Sequence, residues 1–259
     1  MVDNWQGDLY RHPTAQNRWY FFVCNTTGAI AIDATIEQSA LNAPWLTQQL
    51  QQAEITGTLT LFRPEALGLL TTAAQPLDLQ IIPTRHTPAI KALLAQRWGP
   101  NLLQIPSLPP QALPEQLWGE QWRFASFPAG DWELWRDRPI PYRHITRDPL
   151  AQGLSSTTPI PGVVVYGGKR SRSLAQWLDQ VQPFALHYIP TEVGESGGLI
   201  LEAGLSDRFV FLTFADGDMA QGATHYEQQR QTSHGLHFLL IQPDDSAITF
   251  TGFWLLADQ

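Results

Sequence analysis

Cysteine is nearly absent from this 259-residue chain: Cys24 stands alone, which excludes an internal disulfide and a thiolate zinc cage. Lysine is almost as scarce, with Lys91 and Lys169 set against fourteen arginines. Long hydrophobic runs are missing too; no stretch approaches the roughly 18 uninterrupted apolar residues of a membrane span. The opening MVDNWQGDLYRHP has neither a basic flank nor an apolar core, so no secretory signal is expected and the chain reads as soluble and intracellular. Charge is low at 15%, against 43% hydrophobic residues, which excludes a charged disordered chain. The net charge of −8 also argues against a protein that coats nucleic acid by bulk electrostatics.

What is present is arginine and large rings. Arginine offers a planar fork to phosphate and a flat face to bases, although GC-rich codon usage produces the same bias. Ten Trp and twelve Phe supply enough apolar surface for one large core or two modest ones.

The first third predicts strands and helices in alternation. Arg18-Trp19-Tyr20-Phe21-Phe22-Val23 has the make-up of a strand, and residues 29–36 supply its neighbour through a turn at Asn25-Thr26-Thr27-Gly28. Asn42, two before Pro44, predicts an N-cap, with Trp45, Leu46, Leu50 and Ala53 along one helical stripe. A strand over 58–63, a helix over 64–75, a strand over 79–84 and a helix opened by Thr87-Pro88 follow. The order β-β-α-β-α-β-α predicts a mixed sheet with packed helices.

Residues 100–114 hold five prolines in fifteen positions, too many for either regular element. They predict a semi-rigid linker between an N-terminal region, 1–99, and a C-terminal region, 115–259. The second region predicts strands over 121–127, 163–166, 184–189, 199–204, 208–214, 236–242 and 247–256, with helices over 171–181 and 217–233. Both regions are therefore expected to be α/β or α+β, each a mixed sheet with packed helices.

Four motifs carry possible chemistry. The stretch GVVVYGGKRSRSLAQWL, residues 162–178, brings an apolar run to two glycines and three basic residues before a helix. A nucleotide-triphosphate loop is excluded, because Arg170 stands where Ser or Thr is needed and Val163 where the first glycine is needed. A glycine turn that feeds basic residues into a helix N-terminus remains, which is an anion-binding geometry or simply a solvated basic turn. Gly194-Glu195-Ser196-Gly197-Gly198 matches the G-x-S-x-G elbow of hydrolases, but a strand follows the serine where the elbow needs a helix, so a hairpin loop is expected. His225, His234 and His237 lack a recognised zinc spacing and read as structural. Finally, Trp135-Arg136-Asp137-Arg138, Tyr142-Arg143 and Lys169-Arg170-Ser171-Arg172 join charges to stackable rings, the two functions that single-stranded RNA recognition uses. Asp131, Glu133, Asp137 and Asp148 dilute the first of these patches.

The phrases DLYRHP, LFRPEA and IIPTRH in the first half, and WGEQWRFASFP, IPGVVVYGGKRSRSLAQWL, GGLILEAGLSDRFVFLTF, GLHFLLIQPDD and GFWLLAD in the second, together resemble the Tab-two family of cyanobacteria and chloroplasts. That family is named for translation activation of a photosystem I messenger, and the resemblance runs in order from Trp5 to Asp258. It implies a non-catalytic protein, without cofactor or metal, that binds A/U-rich single-stranded RNA and promotes translation or biogenesis of photosystem components. Translation or photosystem assembly machinery are the protein partners it implies. The absence of a transit peptide points to a cyanobacterial member in the cytoplasm, with thylakoid association left open. Two departures stand out. Leu61-Phe62-Arg63-Pro64-Glu65 replaces a family pattern of FFR followed by Gln-Met, and Pro83-Thr84-Arg85-His86 has one basic residue where the family has two.

The candidate RNA contacts are Arg63, Arg85 and Arg97, at the ends of predicted strands or helices, and Lys169, Arg170 and Arg172 in the glycine turn. Two alternatives stay open: an assembly factor that recruits partners through its acidic surface and aromatic strands, and a nuclease-like enzyme, for which no carboxylate cluster with metal spacing is present.

Overall fold

A computed structural model describes residues 4–11, 17–103, 108–145 and 147–257. Residues 104–107 of the Pro-rich segment, His12-Pro13 and Asp258 lie outside the described residues. The chain divides into two compact units, Met1–Ser107 and Leu108–Gln259. Both mix sheets with helices, the α/β class that the alternation predicts.

The first unit contains β1 (Asn4–Arg11), β2 (Arg18–Asn25), β3 (Ile30–Glu37), α1 (Ala43–Gln52), β4 (Thr58–Leu61), α2 (Pro64–Ala74), β5 (Gln80–Pro83) and α3 (Pro88–Trp98). The sheet order is β3-β2-β1-β4-β5, with β1, β4 and β5 parallel and β2 antiparallel to both neighbours. Successive residues of a strand point to opposite faces, so Leu9, Phe21 and Val23 pack with Leu46, Leu50 and Leu70 of α1 and α2. Tyr10, Phe22 and Cys24 pack instead with Ile90 and Leu94 of α3. Helices thus cover both faces, which is why FFVC reads as one continuous apolar run. Asn42 caps α1 as expected, its Oδ1 accepting from the Trp45 amide at 2.9 Å.

The central strand, β1, is the element the sequence pattern does not predict. Gln6 and Asp8 are buried within it and break the apolar run. Gln6 Oε1 accepts the Ile90 amide at 3.1 Å, and Asp8 Oδ2 accepts Arg63 Nε at 2.8 Å, while Asp8 Oδ1 is buried without a hydrogen-bond partner.

The second unit contains β6 (Gln111–Ala112), β7 (Gln121–Pro128), α4 (Trp132–Asp137), β8 (Tyr142–Ile145), β9 (Pro159–Tyr166), α5 (Ser171–Val181), β10 (Pro183–Glu192), β11 (Ser196–Ala203), β12 (Asp207–Ala215), α6 (Gly217–Thr232), β13 (Leu236–Gln242) and β14 (Gly252–Ala257). Five strands form one sheet in the order β7-β9-β13-β14-β8, and four form another in the order β10-β11-β12-β6. Val163, Val165, Leu239, Ile241 and Trp254 face α5, α6 and the four-stranded sheet. Val164, Phe238, Leu240 and Phe253 face the other way, toward Phe127, Trp132 and Leu154. Glycine is required where rings lie on strands: a Cβ on Gly252 would stand 2.4 Å from the Trp254 ring.

Three details differ from the sequence-based expectation. The Pro-rich segment is not wholly irregular: Pro100–Leu103 forms a 3-10 turn, and β6 pairs parallel to β12 through Gln111 with Phe209 and Ala112 with Val210. The strand expected over 247–256 begins only at Gly252, because Asp244 and Ser246 side chains accept the Ser246 and Ile248 amides and Ala247 turns to φ 55°. The aromatic-arginine stretch hides α4 and β8, two elements too short to show a period between Pro139 and Pro141 and their flanks.

Candidate nucleic-acid interface

The basic trio sits where β9 meets α5. Gly168 turns to φ 52° and opens a 3-10 turn, Gly168–Arg170, that runs directly into α5. The glycine amides are not free to cradle an anion. Gly167 N–H donates to the Gln242 carbonyl and Gly168 N–H to the Pro243 carbonyl, each at 2.9 Å, tying the turn to the end of β13. A Cβ on Gly168 would also stand 2.0 Å from Glu120 Oε1, so the glycine is needed for a carboxylate to pack there. Phosphate contact at this turn therefore falls to side chains. Lys169, Arg170 and Arg172 are all exposed. Arg170 Nη1 donates to the Glu115 carbonyl at 3.3 Å, and among the described residues Lys169 and Arg172 make no hydrogen bond or ion pair.

Strand register brings a second basic segment to the same end of the five-stranded sheet. Gln121 pairs with Tyr166, Tyr166 with Gln242, Ile241 with Gly252, and Gly252 with Tyr142. Three strand spacings separate Tyr166 from Tyr142, about 15 Å. At Tyr142, Arg143 Nη1 donates to the Arg138 carbonyl at 2.7 Å. The Arg138 guanidinium lies 4.7 Å from the ring centres of both Trp135 and Phe250. Arg136 is neutralised locally by Asp137 at 2.9 Å and Glu133 at 3.5 Å. Asp244 and Asp245 occupy the loop after β13, between the two basic segments.

The arginines of the first unit are more heavily engaged. Arg63 is 12% exposed; it bonds Asp8 and the Leu102 carbonyl and lies over the Phe62 ring at 4.9 Å. Burial pushes the Asp8 carboxyl up to about 6, against the opposing pull of the Arg63 charge and hydrogen bond. Arg97 pairs with Asp33 at 2.7 Å and lies 5.3 Å over Tyr20, whose ring stacks on Tyr10 at 5.5 Å. Arg63 and Arg97 therefore flank one aromatic cluster, while Arg85 is half-buried in the bend before α3, its carbonyl accepting Lys91 Nζ at 2.6 Å.

Ser196 of the glycine-rich motif and His237 both take structural places. Residues 193–195 form the turn of the β10–β11 hairpin, and Ser196 Oγ accepts the Glu192 amide at 3.2 Å. His237 is fully buried; Nε2 accepts the Leu186 amide at 2.9 Å and Nδ1 faces the Gly235 carbonyl at 2.8 Å, an arrangement that suits a neutral ring protonated at Nδ1. Among the described residues, no group of three or more His, Cys, Asp and Glu could hold a metal ion, and no helix is long and apolar enough to cross a membrane.

Comparison with known families matches residues 4–97 to the N-terminal domain, and residues 100–257 to the C-terminal domain, of "RNA-binding protein Tab2/Atab2". The chain belongs to the Tab2-like RNA-binding family. It is similar to the protein TAB2 homolog, chloroplastic, of Arabidopsis thaliana, 25% identical over 287 residues that cover 99% of this chain and 75% of that protein. It is also similar to the protein of the same name in Zea mays, 26% identical over 285 residues, covering 99% and 72%. No solved structure matches the chain.

Within the Tab2-like C-terminal domain lies a feature that motif reading passes over. A cavity of about 330 Å³ opens between the segment ahead of β7 and the outer edge of β12, lined by Leu113, Trp118, Glu120, Trp122 and Phe211 among others. The signal for it was the WGEQW phrase, whose two tryptophans read only as core material until β12 is placed opposite them.

Proposed function

We propose that this Tab2-like protein binds single-stranded, A/U-rich RNA without catalysis, and that binding promotes translation or biogenesis of photosystem components. The reading places it in the cytoplasm of a cyanobacterial cell, in contact with translation or assembly machinery. The observation that carries it is the exposed trio Lys169, Arg170 and Arg172, which protrudes from one sheet end, with Lys169 and Arg172 making no hydrogen bond or ion pair among the described residues. Arg63 and Arg97 act in this reading mainly by holding the aromatic cluster of the first unit, and Arg85 stands at its margin.

Replacing Lys169, Arg170 and Arg172 together by alanine tests the reading. At about 0.7 per phosphate contact on a single strand, the slope of log K against log salt should fall by about 2. Fluorescence anisotropy with A/U-rich and G/C-rich oligonucleotides at two salt concentrations reads both quantities. Unchanged affinity and slope would refute the assignment, and equal affinity for the two compositions would refute the A/U preference.

A second reading has an observation of its own. β6 covers β12 only at Phe209 and Val210, so among the described residues the outer edge at 211–215 has no strand beside it. Such an edge can accept an extended segment of a protein partner. Partners retained in pull-downs after ribonuclease treatment would favour that reading.

A further inference from the structure

We infer that the cavity beside Trp118 is a nucleobase pocket: an unstacked base of the bound RNA enters it and stacks on Trp118, while the adjoining phosphates lie on Lys169, Arg170 and Arg172. The inference rests on the RNA-binding reading and adds a site to it.

Four observations converge on the pocket. Its volume of about 330 Å³ is at the small end of ligand pockets, suited to one flat group. Leu113 and Phe211, both nearly fully buried, give it an apolar floor. Trp118 is 52% exposed yet fixed, since its Nε1 donates to the Leu113 carbonyl at 2.9 Å and its amide to the Glu115 carbonyl at 3.1 Å. An exposed ring held in one place stacks on a base with little further loss of side-chain freedom. The same Glu115 carbonyl accepts Arg170 Nη1, which places a guanidinium of the basic turn beside the backbone of Trp118.

Glu120 gives the pocket a polarity. Its amide donates to the Tyr166 carbonyl at 2.8 Å and its carboxylate packs on Gly168, so it lines the pocket on the side of the basic turn. An ionised carboxylate only accepts hydrogen bonds. It repels phosphate from the interior and favours a base edge carrying an exocyclic amine over uracil, whose single N–H lies between two carbonyls. Phosphate outside and amine-bearing base inside is the orientation that these charges select.

Anisotropy with the full chain and labelled oligo(A) and oligo(U), including oligo(A) with one abasic position, tests the pocket. Trp118→Ala should weaken oligo(A) binding about 5- to 150-fold, the weight of one aromatic–base stack, with the salt slope unchanged. Trp118→Phe should keep most of the affinity, which separates stacking from misfolding. An abasic position should weaken binding to the wild type but not to Trp118→Ala. Glu120→Gln should narrow the preference for oligo(A) over oligo(U). Wild-type affinity in Trp118→Ala, alongside loss in the basic triple variant, overturns the pocket and leaves the RNA reading standing. Failure of the wild type to bind any of the oligonucleotides overturns the RNA reading itself.

Discussion

Arg63→Met removes the cation beside a buried carboxylate, and the expected effect depends on pH in a defined direction. Asp8 is 1% exposed in the central strand, and Arg63 is its charge partner at 2.8 Å. In the wild type the Asp8 carboxyl already stands at about 6 in the folded protein against an ordinary 3.8. Its folded value is raised, so the folded state binds the proton more tightly. The associated stability is fully present below 3.8 and is lost as pH rises toward 6. At about 1.4 kcal/mol per pH unit, that loss is about 3 kcal/mol. Removing Arg63 takes away the positive charge and the hydrogen bond that oppose the rise, so the carboxyl moves further up. At pH 8 the variant must hold an unpaired buried charge or take up a proton, a destabilisation of about 3–5 kcal/mol. At pH 5 the proton is already bound and most of that destabilisation disappears. Asp8→Asn combined with Arg63→Met removes both charges and should recover much of the stability at pH 8. Hydrogen exchange of peptides from β1 and β4, measured in the intact chain at both pH values, isolates this unit from the other. A penalty that is equal at pH 5 and pH 8, or below about 1 kcal/mol, would refute the account.

Two further substitutions follow from packing in the second unit. Gly252→Ala forces a methyl group to within 2.4 Å of the Trp254 ring, and thermal melts should show a destabilisation of about 1–3 kcal/mol. His237→Phe leaves the buried Leu186 amide without its acceptor, worth about 1–3 kcal/mol by urea titration, whereas a chelator should leave the wild type unchanged.

Local chemistry made much of the fold legible. Asn42 before Pro44 announced α1 because a cap needs only three residues of context, and α5 spans residues 171–181 as expected. β1 was illegible because Gln6 and Asp8 find their partners in α3 and at Arg63, far along the chain. The same distance effect governs the candidate interface. The three basic residues after Gly168 can be read directly, but the fate of the glycine amides depends on Gln242 and Pro243. That β8, which carries Arg143, begins at the sheet end of the basic turn depends on strand order, which no local pattern encodes. Arg63 shows the converse: a residue type suited to phosphate that a buried aspartate occupies.

The peptide groups of Leu186 join three elements at one point. Its amide reaches His237 on β13, and its carbonyl accepts both Tyr226 Oη and Arg230 Nη1 from α6, each at 2.9 Å. Arg230 is itself buried and also reaches Glu227 Oε1 at 2.9 Å and His187 Nδ1 at 2.8 Å. β10 cannot separate from β13 and α6 without breaking these bonds together. Helix α6, polar along most of its length and a poor candidate for stability on its own, therefore shares the fate of the strands it crosses. The second unit should open as a single cooperative block, with amides of α6 and β13 exchanging together and well after those of the 243–250 loop.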